Sequence, residues 1–257
     1  MTPMDGWPPG PEDFHFDPIW NVPWLSWLNK PMLQLIIAAA LVVLIWVLAS
    51  RHLKVRPKKG QFFFEFVYDF IRNGIARDMI GAEYKRWVPL LVGLFSLIVI
   101  NNWFGEFFYF MFPTLSNIGY VYGLVIFVYL VYVGAGIQAH GKGYLKHALV
   151  PPGLPVYMYP IVIPLEFISV FLTRPLTLSI RLFANMFAGH LVVLVFVVGG
   201  ELLVTTAGNL VYNLAGGLSF VMSMLILALE LFIGFLQAYI FTILTASYIS
   251  SAIAEEH

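Results

Sequence analysis

The sequence predicts an all-α membrane protein with about five transmembrane helices and one amphipathic surface helix, the last two helices long and tilted as an antiparallel hairpin. Three observations carry this. The 257 residues are 60% hydrophobic and 11% charged, with a mean hydropathy of +0.84, whereas soluble domains average about 45–50% apolar and about 25% charged. Such a chain cannot cover a water-facing surface, so its solvent is mostly lipid. Its apolar residues fall in five continuous stretches long enough to cross a bilayer as helices, which takes about 20 residues each. Continuous runs, rather than short alternating ones, select helices over a closed barrel, the other backbone arrangement that satisfies its own polar groups in lipid.

Taken in order, residues 1–30 form an external segment rich in Pro and Trp and carrying Asp5, Glu12, Asp13 and Asp17. No basic stretch leads into an apolar core there, so no cleavable signal peptide is expected. The first span covers 31–50, with Trp24 and Trp27 before it as interfacial anchors. A basic cluster follows at Arg51, Lys54, Arg56, Lys58 and Lys59. Over 61–80, Phe62, Phe66 and Phe70 recur at helical spacing beside Glu65, Asp69 and Arg72, the pattern of an amphipathic helix lying on the membrane. An ordinary helix packed against partner proteins is the open alternative. The second span covers 88–112 and the third 118–139, with a short turn at Pro113 between them. A polar loop with His140, Lys142, Lys146 and His147 ends in Pro151, Pro152 and Pro155. Two long stretches, 159–198 and 209–253, close a single membrane domain. Each exceeds a perpendicular crossing and must tilt, kink or run partly in the membrane plane.

Orientation follows from the basic residues, which favour the cytoplasmic side. Nine of the fourteen Lys and Arg lie between Arg51 and Arg86, and Lys142 and Lys146 add two more, while the segment before the first span carries only Lys30. The N terminus is therefore expected outside and the C terminus in the cytoplasm. A bacterial plasma membrane is expected in preference to the mitochondrial inner membrane, since no presequence is seen. Cys is absent, which excludes disulfides and thiolate metal sites. Neither GxxxxGK[ST] nor HExxH occurs, so no phosphate-binding loop, cofactor or metal site is expected, and the chain by itself is expected to be no enzyme.

Ionisable groups inside a bilayer are costly and point to function. The apolar stretches hold Glu106, Glu166, Arg174, Arg181, His190 and Glu230, with Glu201 expected in a turn. Glu166 and Arg174 sit near the inner end of the fourth span, where snorkelling is cheap, and Glu106 near the outer end of the second, where interfacial exposure is the expectation. Arg181 lies deeper, flanked by apolar residues on both sides. It cannot shed its proton, and no counter-charge lies one turn away, so its partner is expected to be a carboxylate on another subunit; a salt bridge to Glu230 is the alternative.

Helical phase sorts these residues. Arg181 and Asn185 are four apart and share a face, whereas His190, nine beyond Arg181, points the opposite way about 13 Å further along. Glu230 and Gln237, seven apart, share a face of the last helix. Setting Arg181 opposite Gln237 puts the midpoint of the hairpin at the turn-prone Gly208 and Asn209, and brings His190 level with Glu230. A His and a carboxylate at one depth suit a proton relay; a buried polar pair that stabilises packing is the plainer alternative.

RPLTLSI followed by RLFANMFAGH, and later ELFIGFLQAYIFTILTASYIS, resemble the signature of subunit a of F-type ATP synthases, and NNWFG at Asn101–Gly105 resembles its second-span motif. The resemblance covers the last hundred residues strongly and the earlier spans more loosely. It implies a stator subunit beside a rotating ring of c subunits, with two proton half-channels and Arg181 between them. By resemblance, Asn185 and Gln237 belong to the polar surroundings of Arg181, His190 and Glu230 line the outer half-channel, and Glu166 matches the acid of the inner one. The spacing from Glu166 to Arg174–Pro175 is one residue longer than the commonest pattern. The implied partners are the c-subunit ring, the peripheral-stalk b subunits, the other ATP synthase subunits and membrane lipid, with no nucleic acid. A self-contained ion channel or secondary transporter is the alternative, although the inverted halves of many transporters are missing.

Overall fold

The computed structural model describes residues 9–10, 28–51, 54, 59–106, 113–144, 149–150, 156–206 and 209–254. The anchors Trp24 and Trp27, the loop residues Lys146, His147, Pro151, Pro152 and Pro155, Gly208 in the hairpin turn, and the expected end of the second span at 107–112 lie outside them. Among the described residues the chain is nearly all helical, with no strand. The main helices are α1 (Lys30–Arg51), α2 (Lys59–Ile71), α3 (Tyr84–Glu106), α4 (Ile118–His140), α5 (Tyr159–Ile168), α6 (Arg174–Thr206) and α7 (Leu210–Ile253). Five continuous helical stretches among the described residues are long and apolar enough to cross a membrane. Of these α7, with 44 residues, extends roughly 66 Å, about twice the hydrocarbon thickness.

Local chemistry sets several boundaries. Asn29 accepts from the Met32 N–H at 3.0 Å and caps the start of α1. α2 exposes Phe62, Phe63 and Phe66, as an amphipathic surface helix should. It then widens into a π-helical turn, Arg72–Arg77, which buries Ile75 and Ala76, and the helical path bends at Gly81, whose φ of +76° only glycine adopts without strain, before continuing into α3. A second π turn, Ser169–Thr173, separates α5 from α6. Its cause is at hand: the ring of Pro175 conflicts with the carbonyl four residues earlier, that of Phe171, and a widened turn relieves the clash. Glu201, expected in a turn, is instead helical and exposed near the end of α6, because the helix continues to Thr206.

Contacts divide the chain into two compact units. One contains 1–40, 98–120 and 183–237; the other contains 41–97, 121–182 and 238–257. In the second unit Trp46 donates to Ser96 Oγ at 3.0 Å and packs edge-on against Phe64, tying α1 to α3 and α2. Phe70 stacks obliquely on Tyr239, 5.5 Å between centroids. Tyr132 donates to the carbonyl of Val170 within the π turn at 3.1 Å, and the Arg174 guanidinium lies over the ring of Tyr248 at 5.2 Å.

In the first unit, α6 and α7 form an antiparallel hairpin. Gly200 faces Gly216, and Ser219 donates to the Phe196 carbonyl at 2.7 Å. The absence of side chains on both glycines lets the helix backbones approach closely. α3 runs antiparallel to α7: Asn102 Nδ2 donates to the Gly234 carbonyl at 2.9 Å, and Trp103 Nε1 to that of Leu231 at 3.1 Å.

Candidate functional site

The first unit gathers a buried cluster of ionisable groups from three helices. His190 on α6 is 6% exposed and Glu230 on α7 is 8% exposed. Glu106, the last residue of α3, joins them, and ligand-capable atoms of all three lie within 4.8 Å of one another. The cluster thus sets the Glu106 and Glu230 carboxyl groups beside each other.

Helix register explains the meeting. Asn102 and Glu106 are four apart on α3, and Glu230 and Gly234 are four apart on α7, so each pair shares a face. The Asn102–Gly234 hydrogen bond fixes the antiparallel pairing, and one turn further on the same pairing sets Glu106 against Glu230. On the α6 side, Gly189 makes the room. A Cβ there would collide with Glu230 Oε1, so only glycine lets the carboxyl lie flat against α6 beside His190.

His190 and Glu230, matched by phase and midpoint in the sequence, are thus brought together. The expected interfacial exposure of Glu106 is corrected: it has a half-buried place in the cluster. A signal for this lay in the polar Asn101 and Asn102 just before it, which make this part of the span unlike a lipid-facing one. Arg181 does not join the cluster. It is exposed, on the opposite face of α6 from His190, in a stripe with Thr177, Ala184 and Ala188, which are also exposed. Asn185, one turn along, is half-buried, with no hydrogen-bond partner for Nδ2 among the described residues. Gln237 is buried two turns beyond Glu230 on α7. Glu166 lies apart on α5, half-buried, and the π turn stands between it and Arg174.

The family profile of the ATP synthase A chain matches residues 32–250. The chain is 42% identical to the ATP synthase subunit a of Nocardioides sp. over 97% of its own length and 94% of the relative. It is 37% identical to that of Streptomyces lividans, with 97% and 88% covered, and 38% identical to that of Gluconobacter oxydans, with 90% of each covered. The chain belongs to the ATP synthase subunit a family.

Membership in the subunit a family joins the chain to ATP synthesis and proton transport by a membrane sector, which suits five spans and buried titratable groups.

Proposed function

We propose that this chain is the stator subunit through which protons reach and leave a rotating c ring in the plasma membrane of a bacterium, by two half-channels that Arg181 keeps apart. The observation that carries this reading is the division of charge on α6. A permanent cation sits exposed on one face, and a buried His–carboxylate cluster sits on the other, half a helical revolution away.

An exposed guanidinium in an apolar helix needs an anion or water. The exposed stripe around it is made of small side chains, Thr177, Ala184 and Ala188, which permit close approach of a neighbouring helix. A carboxylate on a ring subunit would pair with Arg181 there. Glu230 is buried on the other side of α6, which disfavours it as the intramolecular counter-ion.

The chemistry then runs in order. A proton enters from outside through the His190–Glu230 region and neutralises a ring carboxylate. Once neutral, that carboxyl can turn into lipid without the cost of a buried charge. After nearly a full revolution it gives up the proton toward the inner side, where Glu166 is the acid available. The bare carboxylate passes Arg181, whose charge favours deprotonation and repels a free cation, so the two paths do not short-circuit. Asn185 and Gln237 serve as polar groups along this route. Each charge that crosses releases about 2.3 kcal/mol per 100 mV. ATP chemistry belongs to other subunits of the complex, and the N terminus lies outside with the C terminus in the cytoplasm.

The test replaces Arg181 with Ala in the assembled complex reconstituted into vesicles. Proton-driven ATP synthesis is expected to fall to background while the complex still assembles. Synthesis at the wild-type rate would overturn the reading.

A further inference from the structure

We infer that the groove between the end of α1 and α2 is a binding site for an anionic phospholipid, with the headgroup phosphate at Lys54 and the hydrocarbon chains along Ala49 and Phe64. The inference uses none of the residues of the proposed proton path.

The groove has two lobes that share Ala49, Gln61 and Phe64. One, of about 400 Å³, runs beside Trp46 and Tyr68. The other, of about 760 Å³, is lined by Leu48 and Lys54. A helix about 10–12 Å across with a 5.4 Å pitch occupies roughly 400–600 Å³ per turn. The smaller lobe therefore takes about one turn at most, whereas a spanning helix has about five. Slender hydrocarbon chains fit where a partner helix does not, and two joined lobes suit a lipid with two chains. Leu44, Val47 and Phe63 nearby are exposed, as residues that face lipid are.

Lipid tails are as apolar as leucine side chains, so in a bilayer any lipid fills such a groove and only the headgroup can be selected. The residues here select negative charge. Lys54 is fixed at the larger lobe by Gln61: the Lys54 N–H donates to Gln61 Oε1 at 3.2 Å, and the Lys54 carbonyl accepts from Gln61 Nε2 at 2.9 Å. These two hydrogen bonds tie the lysine backbone to the first turn of α2. Arg51 ends α1 and Lys59 begins α2, and both are exposed. The acid on the groove, Glu65, accepts from Gln61 Nε2 at 2.7 Å, so three cations stand against one carboxylate. Basic pockets between membrane helices hold anionic lipid headgroups in this way.

The experiment reconstitutes the whole ATP synthase complex into vesicles containing phosphatidylglycerol or phosphatidylcholine with a photoreactive diazirine on the acyl chain. Mass spectrometry then locates the adducts after illumination. At equal mole fraction, phosphatidylglycerol is expected to label 45–50 and 61–68 at least about fivefold more than phosphatidylcholine, the contribution of one basic side chain near an anionic headgroup. Leu130, exposed on α4, is expected to be labelled equally by both. Lys54→Gln is expected to lower the preference about fivefold. Ala49→Trp fills the space common to the two lobes and is expected to abolish labelling of the groove by either lipid, with Leu130 unaffected. Should that variant fail to assemble, the headgroup comparison and Lys54→Gln decide alone, since Lys54 is exposed and its side chain supports no packing. Equal labelling by the two lipids, or a preference unchanged by Lys54→Gln, overturns the inference. A groove covered by a helix of another subunit would give no lipid adducts at 45–50 and 61–68, and that result overturns it as well.

Discussion

At the scale of single residues, the proposed relay requires one imidazole and one carboxyl more than it requires either at a fixed position. Imidazole exchanges protons near neutral pH, and a carboxyl beside it can take or give the same proton, so the proposed pair is expected to work from either helix. Exchanging them (His190→Glu with Glu230→His) is expected to retain more proton-driven ATP synthesis than His190→Ala or Glu230→Ala alone. The comparison is made on inverted vesicles with matched amounts of assembled complex, and the reverse ranking would discredit a shared relay. This pair was legible in the sequence because helical phase and hairpin midpoint are both fixed by counting. Glu106 was not, because depth in a span says nothing about which neighbours cover it. Its burial depends on α6 and α7, distant in the chain, and on Gly189 and Gly234, whose meaning emerges only once the helices pair. The exposure of Arg181 was foreseeable in kind: a cation that cannot be neutralised needed a partner from outside its own helix.

Among the elements, the α6–α7 hairpin depends on two glycines in contact. A Cβ on Gly216 would stand 2.6 Å from Val204 Cγ2 and 2.8 Å from the Gly200 carbonyl, whereas a Cβ on the adjacent Gly217 would meet nothing within 4 Å. Gly216→Ala is therefore expected to destabilise the assembled complex by about 1–3 kcal/mol, the cost of overpacking. Gly217→Ala is expected to be neutral or slightly stabilising, through its better helix propensity. Thermal inactivation of the two variants side by side measures this, and equal losses would mean that the close approach does not set the hairpin. Helix existence was plain from apolar runs, and the hairpin from its turn residues. The π turns were not: each adds a single residue to a helical path, and a mostly apolar stretch offers too few polar residues to mark so small a shift of phase. Only Pro175 hinted at one, since a proline inside a helix disturbs the carbonyl four residues back.

For the whole molecule, the distribution of basic residues has a consequence that no single helix carries. Nine Lys and Arg lie between Arg51 and Arg86, a stretch that follows α1 and leads into α3. Each basic side chain near an anionic cytoplasmic leaflet contributes about 1 kcal/mol, so the insertion with this stretch inside is favoured over its inverse by several kcal/mol. An odd number of crossings then leaves the two ends of the chain on opposite sides. The chain has no native cysteine, which makes the test clean. Gly10→Cys and Ala254→Cys are each introduced alone and treated with a membrane-impermeant maleimide in intact cells. Cys at position 10 is expected to label at once, and Cys at position 254 only after permeabilisation. The opposite pattern would invert the topology and with it the assignment of sides. The His190–Glu230 cluster would then receive protons from the cytoplasm, and Glu166 would release them outside. In the proposed mechanism the charges that orient the chain also decide which relay faces the proton source, so this one labelling pattern constrains both.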